Sequence, residues 1–452
     1  MHLILLSGGS GKRLWPLSND VRSKQFLKLL KDENGAPLSM IQRVFRQLSE
    51  TGEWDSVNIV AGAAQKESIE LQIGTDYNLI IEKERRDTFP AIALACSYLY
   101  SMKNVKADDI VCVLPVDSYV EKEYFSRLSY LEEGVKQGYE YMLLGVKPTF
   151  PTEKYGYIVP VEMNEKLSFE KAALKTEALQ VRGFVEKPKA DVAESIIERG
   201  ALWNCGVFCF RMNKISEHLS VNYGITDFSH ESVSRNFSNL NKTSFDYEIL
   251  EKASNVGAVP YSGMWMDLGT WQTVTCEMSN ICEGNVVVGE TCKNTHIIND
   301  IGIPIVALGI EDSVIVASND GILVSKKDES YKLKDMVNGI SKRPMYERKR
   351  WGKYRVIHEG DNVLTKQLII FQGQQLSYQY HNHREEIWTI ANGEGELLLD
   401  GEKRIVRSGD VIKVGKNQKH AIRALTDLEI IEVQLGAQLV EEDIIRIDLD
   451  WE

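Results

Sequence analysis

Cysteine is scarce in this sequence: seven in 452 residues, an odd number with no Cys-x-x-Cys pair. That pattern argues against a disulfide framework and predicts reduced thiols in a cytoplasm. Long apolar runs are missing too. The longest, residues 301–310, is broken by Gly302 and Pro304 and falls short of the ~18 residues a membrane helix needs. The opening Met-His-Leu-Ile-Leu-Leu turns at once into glycine, without the basic region or apolar length of a signal peptide. Positive charge is not in excess: 53 Lys and Arg stand against 65 Asp and Glu, a net −12. So acidic a chain is a poor general binder of nucleic acid, and an anionic ligand must be held by a local cluster of cations. What is present, 43% hydrophobic and 26% charged residues, excludes wholesale disorder. At roughly 100–200 residues per domain, the length predicts about two to four domains.

Three textures follow one another. Up to residue 272, short Val-, Ile- and Leu-rich runs (2–6, 57–61, 78–81, 110–114, 141–146) alternate with helical spacing at 39–48 and 88–102. Strands alternating with helices predict an α/β fold, an open mostly parallel sheet. Residues 273–340 form a β-rich connecting segment, with β-type runs from 286 to 325 and then a charged linker. Lys342 to Arg355 holds seven basic residues and one acid, Glu347, and reads as a solvated linker rather than a nucleic-acid patch. Residues 350–452 carry short strands separated by Asn392-Gly393, Asp400-Gly401 and Ser408-Gly409, as in a small β-barrel or sandwich.

The first predicted strand runs into Ser7-Gly8-Gly9-Ser10-Gly11-Lys12-Arg13-Leu14. A glycine turn there lets backbone N–H groups reach a phosphate, and Lys12 and Arg13 add charge. A Walker loop is excluded because Arg13 stands where Ser or Thr is needed. Leu14, in place of the third glycine, excludes the dinucleotide fingerprint. Alone, the turn reads equally as a plain tight turn.

The residues after it, Leu14-Trp15-Pro16-Leu17-Ser18 and Lys24-Gln25-Phe26-Leu27, resemble the sugar-phosphate nucleotidyltransferases, most closely the mannose-1-phosphate guanylyltransferases. Ser23 replaces the family's usual proline. The resemblance continues through Arg86-Asp87-Thr88-Phe89-Pro90-Ala91-Ile92, Leu114-Pro115-Val116-Asp117, Tyr155-Gly156-Tyr157-Ile158 and Phe184-Val185-Glu186-Lys187-Pro188. It extends to Trp203-Asn204-Cys205-Gly206, Ser244-Phe245-Asp246-Tyr247 and Trp265-Met266-Asp267-Leu268-Gly269-Thr270-Trp271. The family usually has Asn for Asp87, Ala for Phe89 and His for Ser118.

Nucleotidyl transfer brings two polyanions together, so positioning and charge neutralisation must do most of the catalysis. A divalent ion on one or two carboxylates is the expected device, and Mg²⁺ suits hard oxygen ligands. Asp117 and Asp267 are the matched carboxylates; taken singly, each would read as a turn or cap. The resemblance implies Arg13 on the triphosphate of GTP, with Gly8, Gly9, Gly11, Lys12, Arg86 and Asp87 around the nucleotide. It implies Lys24 on the phosphate of mannose 1-phosphate, with Gly156, Glu186, Lys187 and Asn204 around the sugar. Residues 84–90 are the expected base-reading loop, and which residue selects guanine is left open. Cys205, Cys209, Trp265 and Trp271 read as packing.

Near the C-terminus, His381-Asn382-His383 would put two imidazoles on one face of a strand. With Glu386 and His420 they make a candidate site for Zn²⁺ or another divalent transition metal. Strand alternation favours Glu385 over Glu386 unless a bulge intervenes. The spacing with Gly393, Gly409 and Gly415 is that expected of a cupin. Gly373–Gln379, Arg350–Tyr354 and Ile431–Gln434 resemble the type II phosphomannose isomerases, which interconvert fructose 6-phosphate and mannose 6-phosphate. Here Ile387 and residues 421–424 depart from that family, which fold and metal survive more easily than catalysis, unless Arg423 turns inward to replace a lost arginine.

The reading is therefore a cytoplasmic, Mg²⁺-dependent enzyme making GDP-mannose and pyrophosphate, with no nucleic-acid or membrane partner. A homo-oligomer is compatible with it, and isomerase activity of the cupin is left open. The alternatives are a transferase for another hexose 1-phosphate and a non-catalytic binder of sugar nucleotides.

Overall fold

The computed structural model describes residues 1–9, 12–19, 21–52, 54–161, 178–278, 280–340 and 343–448. The backbone divides into two units, Met1–Gly11 with Ser23–Ser279, and Lys12–Arg22 with Asn280–Glu452.

In the first unit the apolar runs become neighbours in a nine-stranded sheet. His2–Leu6 lies parallel to both Ser56–Gly62 and Ile110–Pro115, and Asn78–Glu82 pairs parallel beyond Ser56–Gly62. Side chains alternate between two faces. Ile4 packs with Ile92 and Leu99 of the helix Thr88–Met102, while Leu3 and Leu5 pack with Ile41, Val44 and Leu48 of the helix Met40–Thr51. Ser39 starts that second helix by accepting from Gln42 N, and the Gln42 side chain answers the Ser39 N–H, a reciprocal cap. The parallel expectation holds for these four strands. Beyond them the sheet is mixed: Leu202–Arg211 runs antiparallel between Ile110–Pro115 and Tyr141–Val146, and Val256–Tyr261, Leu179–Glu186 and Gly156–Pro160 complete the order. The direction of Leu202–Arg211 is not written in its composition, because a strand buried on both faces is apolar whichever way it runs.

In the second unit, Cys282–Glu283, His296–Asn299 and Ser313–Ser318 stack in parallel, and Gly321–Lys326 closes the sheet antiparallel. Val286–Val288 pairs in parallel with Ile305–Ala307. Residues 12–22 dock on this coil: Ser318 Oγ donates to Pro16 O at 2.9 Å and Asn19 Nδ2 to Asp320 Oδ2 at 2.9 Å. Gly321, at φ +149°, leaves the space that the Trp15 ring fills. Two antiparallel sheets of six and five strands follow, around a core that includes Leu364, Trp388, Ile422 and Ile430. Within residues 376–380, only Gln379–Tyr380 forms a strand. Among the described residues no helix is long and apolar enough to cross a membrane.

Candidate active site and metal cluster

The carboxyl ends of the parallel strands open at one edge of the first unit, where ligands of open α/β sheets bind. Gly8 and Gly9 leave His2–Leu6 there, exposed, and Gly9 takes φ +112°. Ser23 fixes the next turn, since its hydroxyl donates to Gly9 O at 3.4 Å and accepts from Gln65 Nε2 at 2.8 Å. Gln25 Nε2 donates to Ser7 O at 2.9 Å. Between Ser23 and Gln25, Lys24 is aimed at two carboxylates. Its Nζ is 2.8 Å from Asp117 Oδ2 and 3.0 Å from Asp267 Oδ1. Asp117 follows Ile110–Pro115, and the pairing of Ser118–Val120 with Trp265–Asp267 brings Asp267 opposite Ser118. Burial alone would lower the Lys24 pKa, but Asp117 and Asp267 outweigh it and hold the ammonium above its ordinary range. Tyr155 stands beside them. Burial, with the Asp267 charge, pushes its hydroxyl up to about 12, so it stays a neutral donor.

A second group lies on the antiparallel side of the same unit. Gly156 pairs with Glu186 across their strands, and a Cβ at Gly156 would collide with Glu186 Oε2 and touch Asn204 Cβ at 3.7 Å. Asn204 has both ends engaged: Oδ1 accepts from Gly206 N at 3.1 Å, and Nδ2 donates to Asp246 Oδ1 at 2.5 Å. Burial pushes Asp246 up to about 6, against the Asn204 hydrogen bond and with help from the Glu186 and Asp87 charges. Lys187, at φ +46°, is exposed and ion-pairs with Glu186. The Arg86 guanidinium donates to Leu240 O at 2.9 Å and to Glu84 Oε1 at 3.1 Å. Asp87, at φ +73°, caps the helix Thr88–Met102 by accepting from Thr88 N. Lys12 and Arg13 open the turn Lys12–Leu14 in the second unit, and Gly11 lies outside the described residues. Sequence reasoning gave no role to Tyr155 or Asp246; both adjoin residues it did single out. Trp265 and Trp271 are packed and Cys205 and Cys209 buried, as expected of packing residues.

In the C-terminal barrel, His381, Glu386 and His420 are buried with one ligand atom each within 4.8 Å of the others. Glu386 Oε1 is 3.1 Å from His381 Nε2, and Oε2 is 3.7 Å from His420 Nε2. The other ring nitrogens face backbone carbonyls, His381 Nδ1 that of Asp443 at 3.2 Å and His420 Nδ1 that of Gln418 at 3.0 Å. With Nδ1 donating, both rings would turn an Nε2 lone pair to a cation held beside the carboxylate, the outer-shell arrangement of metal-binding histidines. His420 Nε2 is buried without a hydrogen-bond partner, an orphan a cation would satisfy. The donor set therefore fits a divalent metal.

His383 corrects the expected ligand set. It is exposed and outside the cluster, its backbone N held by Asp443 Oδ1 at 3.2 Å. Alternation would hold from His381 to Glu386 only along one continuous strand. The strand begins only at Arg384, so Arg384, Glu386 and Trp388 share the inner face, and Glu385 turns out to pair with Lys413 at 3.2 Å. Arg384, buried, donates from Nε to Glu386 Oε1 at 2.9 Å and from Nη1 to Val440 O at 3.1 Å. Burial would raise Glu386, but His381, Arg384 and His420 hold its pKa well down. Arg423 faces away from the cluster and pairs with Glu396 at 2.8 Å, while its strand neighbours Ile422 and Ala424 fill the core. Glu432, inside the matched segment 431–434 but without a role from the sequence, is a buried carboxyl that accepts from Gln434 Nε2 at 2.7 Å. Burial and the Glu386 charge push it up to about 8.

Comparison with known proteins agrees with this division. Residues 2–283 match the nucleotidyl transferase family, and residues 341–449 match the mannose-6-phosphate isomerase C-terminal family. A mannose-1-phosphate guanylyltransferase of Escherichia coli is 28% identical, over 99% of this chain and 97% of its own. The xanthan biosynthesis protein XanB of Xanthomonas campestris pv. campestris is 30% identical, over 98% of this chain and 97% of its own. The crystal structure of a Thermus thermophilus protein called mannose-1-phosphate geranyltransferase superposes with TM-score 0.59 at 26% identity, covering 74% of this chain and 97% of that one. With the family matched over most of its length and its paired carboxylates at the mouth of the sheet, this chain belongs to the nucleotidyl transferase family.

Proposed function

We propose that this chain transfers GMP from GTP to mannose 1-phosphate, giving GDP-mannose and pyrophosphate. The observation that carries the reading is the ammonium of Lys24 held between Asp117 and Asp267: two carboxylates converge on a place that accepts a cation. Those carboxylates would hold Mg²⁺, which supplies neutralisation of phosphate charge. Lys24 then shifts to a phosphate oxygen of the sugar 1-phosphate. That oxygen attacks the α-phosphorus, the bond to the β-phosphate breaks, and pyrophosphate carries away the electron pair. Gly156 lets the hexose approach the backbone, Glu186 accepts from its hydroxyls, and Lys187 leaves Glu186 for the sugar phosphate. Asn204 is fixed by Asp246 and Gly206, so its remaining N–H is pre-aimed. Arg13 and Lys12 keep in this proposal the triphosphate role that the resemblance implies, as Gly8, Gly9, Gly11, Arg86 and Asp87 keep theirs around the nucleotide.

In the barrel, His381, Glu386 and His420 would hold one divalent transition metal, supplying a Lewis acid. Interconversion of fructose 6-phosphate and mannose 6-phosphate is the second reading, favoured by the family match over residues 341–449.

Pyrophosphate release, measured with each of four nucleoside triphosphates against a panel of hexose 1-phosphates, tests the main reading. GTP with mannose 1-phosphate should give the highest kcat/KM. Preference for another pair would reassign the substrate, and no turnover with any pair would leave a sugar-nucleotide binder.

A further inference from the structure

From Tyr346 on, the basic stretch expected to be a solvated linker forms strands. Its second half is the hairpin Tyr346–Lys349 with Gly352–Gly360, at the edge of the six-stranded sheet. Alternation sends Tyr354, Val356, Leu368 and Ile370 into the barrel core. Lys353 and Arg355 therefore stand on the opposite, outer face, where Lys353 is paired in register with Arg348. Like charges directly opposite one another cost stability, and neither Lys353 nor Arg355 makes an ion pair among the described residues.

They line a cleft of about 340 Å³, together with Asp300, Asn319, Tyr346 and Gln367. That is at the lower end of the roughly 300–1,000 Å³ usual for small-ligand sites. The guanidinium of Arg22 lies 5.7 Å from the Tyr346 ring centroid, and its Nε is buried without a hydrogen-bond partner. The lining is chemically two-ended. Lys353 and Arg355 suit a phosphoryl group. Asp300 would repel a bare anion but accepts from hydroxyls, and the Asn319 amide can donate or accept. The Gln367 amide nitrogen is engaged by Glu429, which leaves its carbonyl as a further acceptor.

We propose that this cleft binds a phosphorylated sugar, with its phosphoryl group on Lys353 and Arg355 and its hydroxyls on Asp300 and Asn319. The site lies on the outer face of the barrel sheet, whereas His381, Glu386 and His420 lie inside. It does not depend on the transferase reading. A free sugar phosphate and a sugar nucleotide share this chemistry, and the probes below separate them.

Binding is measured by equilibrium dialysis on the full chain with inorganic phosphate, mannose 6-phosphate and GDP-mannose, in the wild type and in Lys353→Gln/Arg355→Gln. Both substitutions are on the outer face, so folding and kcat for nucleotidyl transfer should be unchanged, which separates a failure here from a failure of the transferase reading. With at least one sugar probe, the wild type should bind one equivalent more than the double variant, or bind it at least tenfold more tightly. Mannose 6-phosphate alone would identify a sugar phosphate, and GDP-mannose alone a sugar nucleotide. Asp300→Asn should weaken the sugar probes without weakening inorganic phosphate. Identical isotherms in wild type and double variant would overturn the proposal. Inorganic phosphate binding as tightly as either sugar probe would overturn it too, leaving a bare anion site.

Discussion

At the residue scale, charge placement decides more than packing does. Asp267 sits on a short strand with one oxygen on Lys24, and Asp267→Asn keeps its shape while removing the charge. Turnover should fall by about a hundredfold, the scale of losing a main electrostatic stabiliser, with the circular dichroism spectrum unchanged. Near-normal kcat in the folded variant would remove Asp267 from the chemistry. Glu82 gives a prediction in pH. It ends the strand Asn78–Glu82, and burial pushes its carboxyl up to about 7, with Arg85 opposing and Asp87 assisting. A folded pKa above the unfolded one means that the folded state binds more protons between the two. Stability is then lost as pH rises from about 4.5 to about 7, and the whole penalty is present above that. Glu82→Gln should have the same melting temperature as wild type at pH 4 and a higher one at pH 8. At about 1.4 kcal/mol per pKa unit, the gain is on the order of 3 kcal/mol. Equal melting temperatures at both values would show that the carboxyl is not held in a costly environment.

Elements explain why parts of the site were legible and parts were not. The strands at 2–6, 78–82 and 110–115 and the helix at 88–102 follow from periodicity, because burial on known faces imposes it. The antiparallel strand Leu202–Arg211 and the short pair Ser118–Val120 with Trp265–Asp267 do not, since pairing between residues far apart in sequence leaves no local trace. Asp117 and Asp267 could be named from the family pattern, but the lysine bridging them could not be placed. His383 failed for a similar reason: alternation is a rule within one strand, and no strand runs through the residues between Tyr380 and Arg384. Gly156 is the reverse case, a family position whose need for glycine becomes physical only when its strand pairs with Leu179–Glu186. Gly156→Ala should drive Glu186 aside and raise KM for mannose 1-phosphate at least tenfold, with little change in KM for GTP. Paired saturation curves check this, and an equal loss on the nucleotide side would place Gly156 elsewhere in the site.

At the scale of the whole chain, one sequence presents two unrelated sets of cation-binding groups. Asp117 and Asp267 offer carboxylate oxygens, whereas the barrel offers two imidazoles and a carboxylate, donor sets that would suit a hard and a borderline divalent ion respectively. Glu386→Gln removes the charge at the centre of the barrel cluster while Asp117 and Asp267 stay untouched. Elemental analysis of the purified full chain should find about one zinc-like ion in the wild type and far less in the variant, with guanylyltransferase kcat unchanged. Because a metal bound only by the folded state raises stability, the barrel's melting transition should fall in the variant and in chelator-treated wild type alike. Isomerisation demands more: a base must move a proton between C1 and C2, and a cation must hold the 6-phosphate. Arg384 is already committed to Glu386 and Val440, Arg423 points outward, and Glu385 is paired with Lys413. Glu432, buried with its pKa pushed up to about 8, is a further barrel carboxyl able to exchange a proton near neutral pH. If the barrel converts fructose 6-phosphate to mannose 6-phosphate, Glu432→Gln should abolish that conversion while keeping the metal, and Glu386→Gln should abolish both. Conversion that survives Glu432→Gln would assign the proton to another group, and a wild-type chain that binds metal without converting either sugar would make the barrel a binding domain.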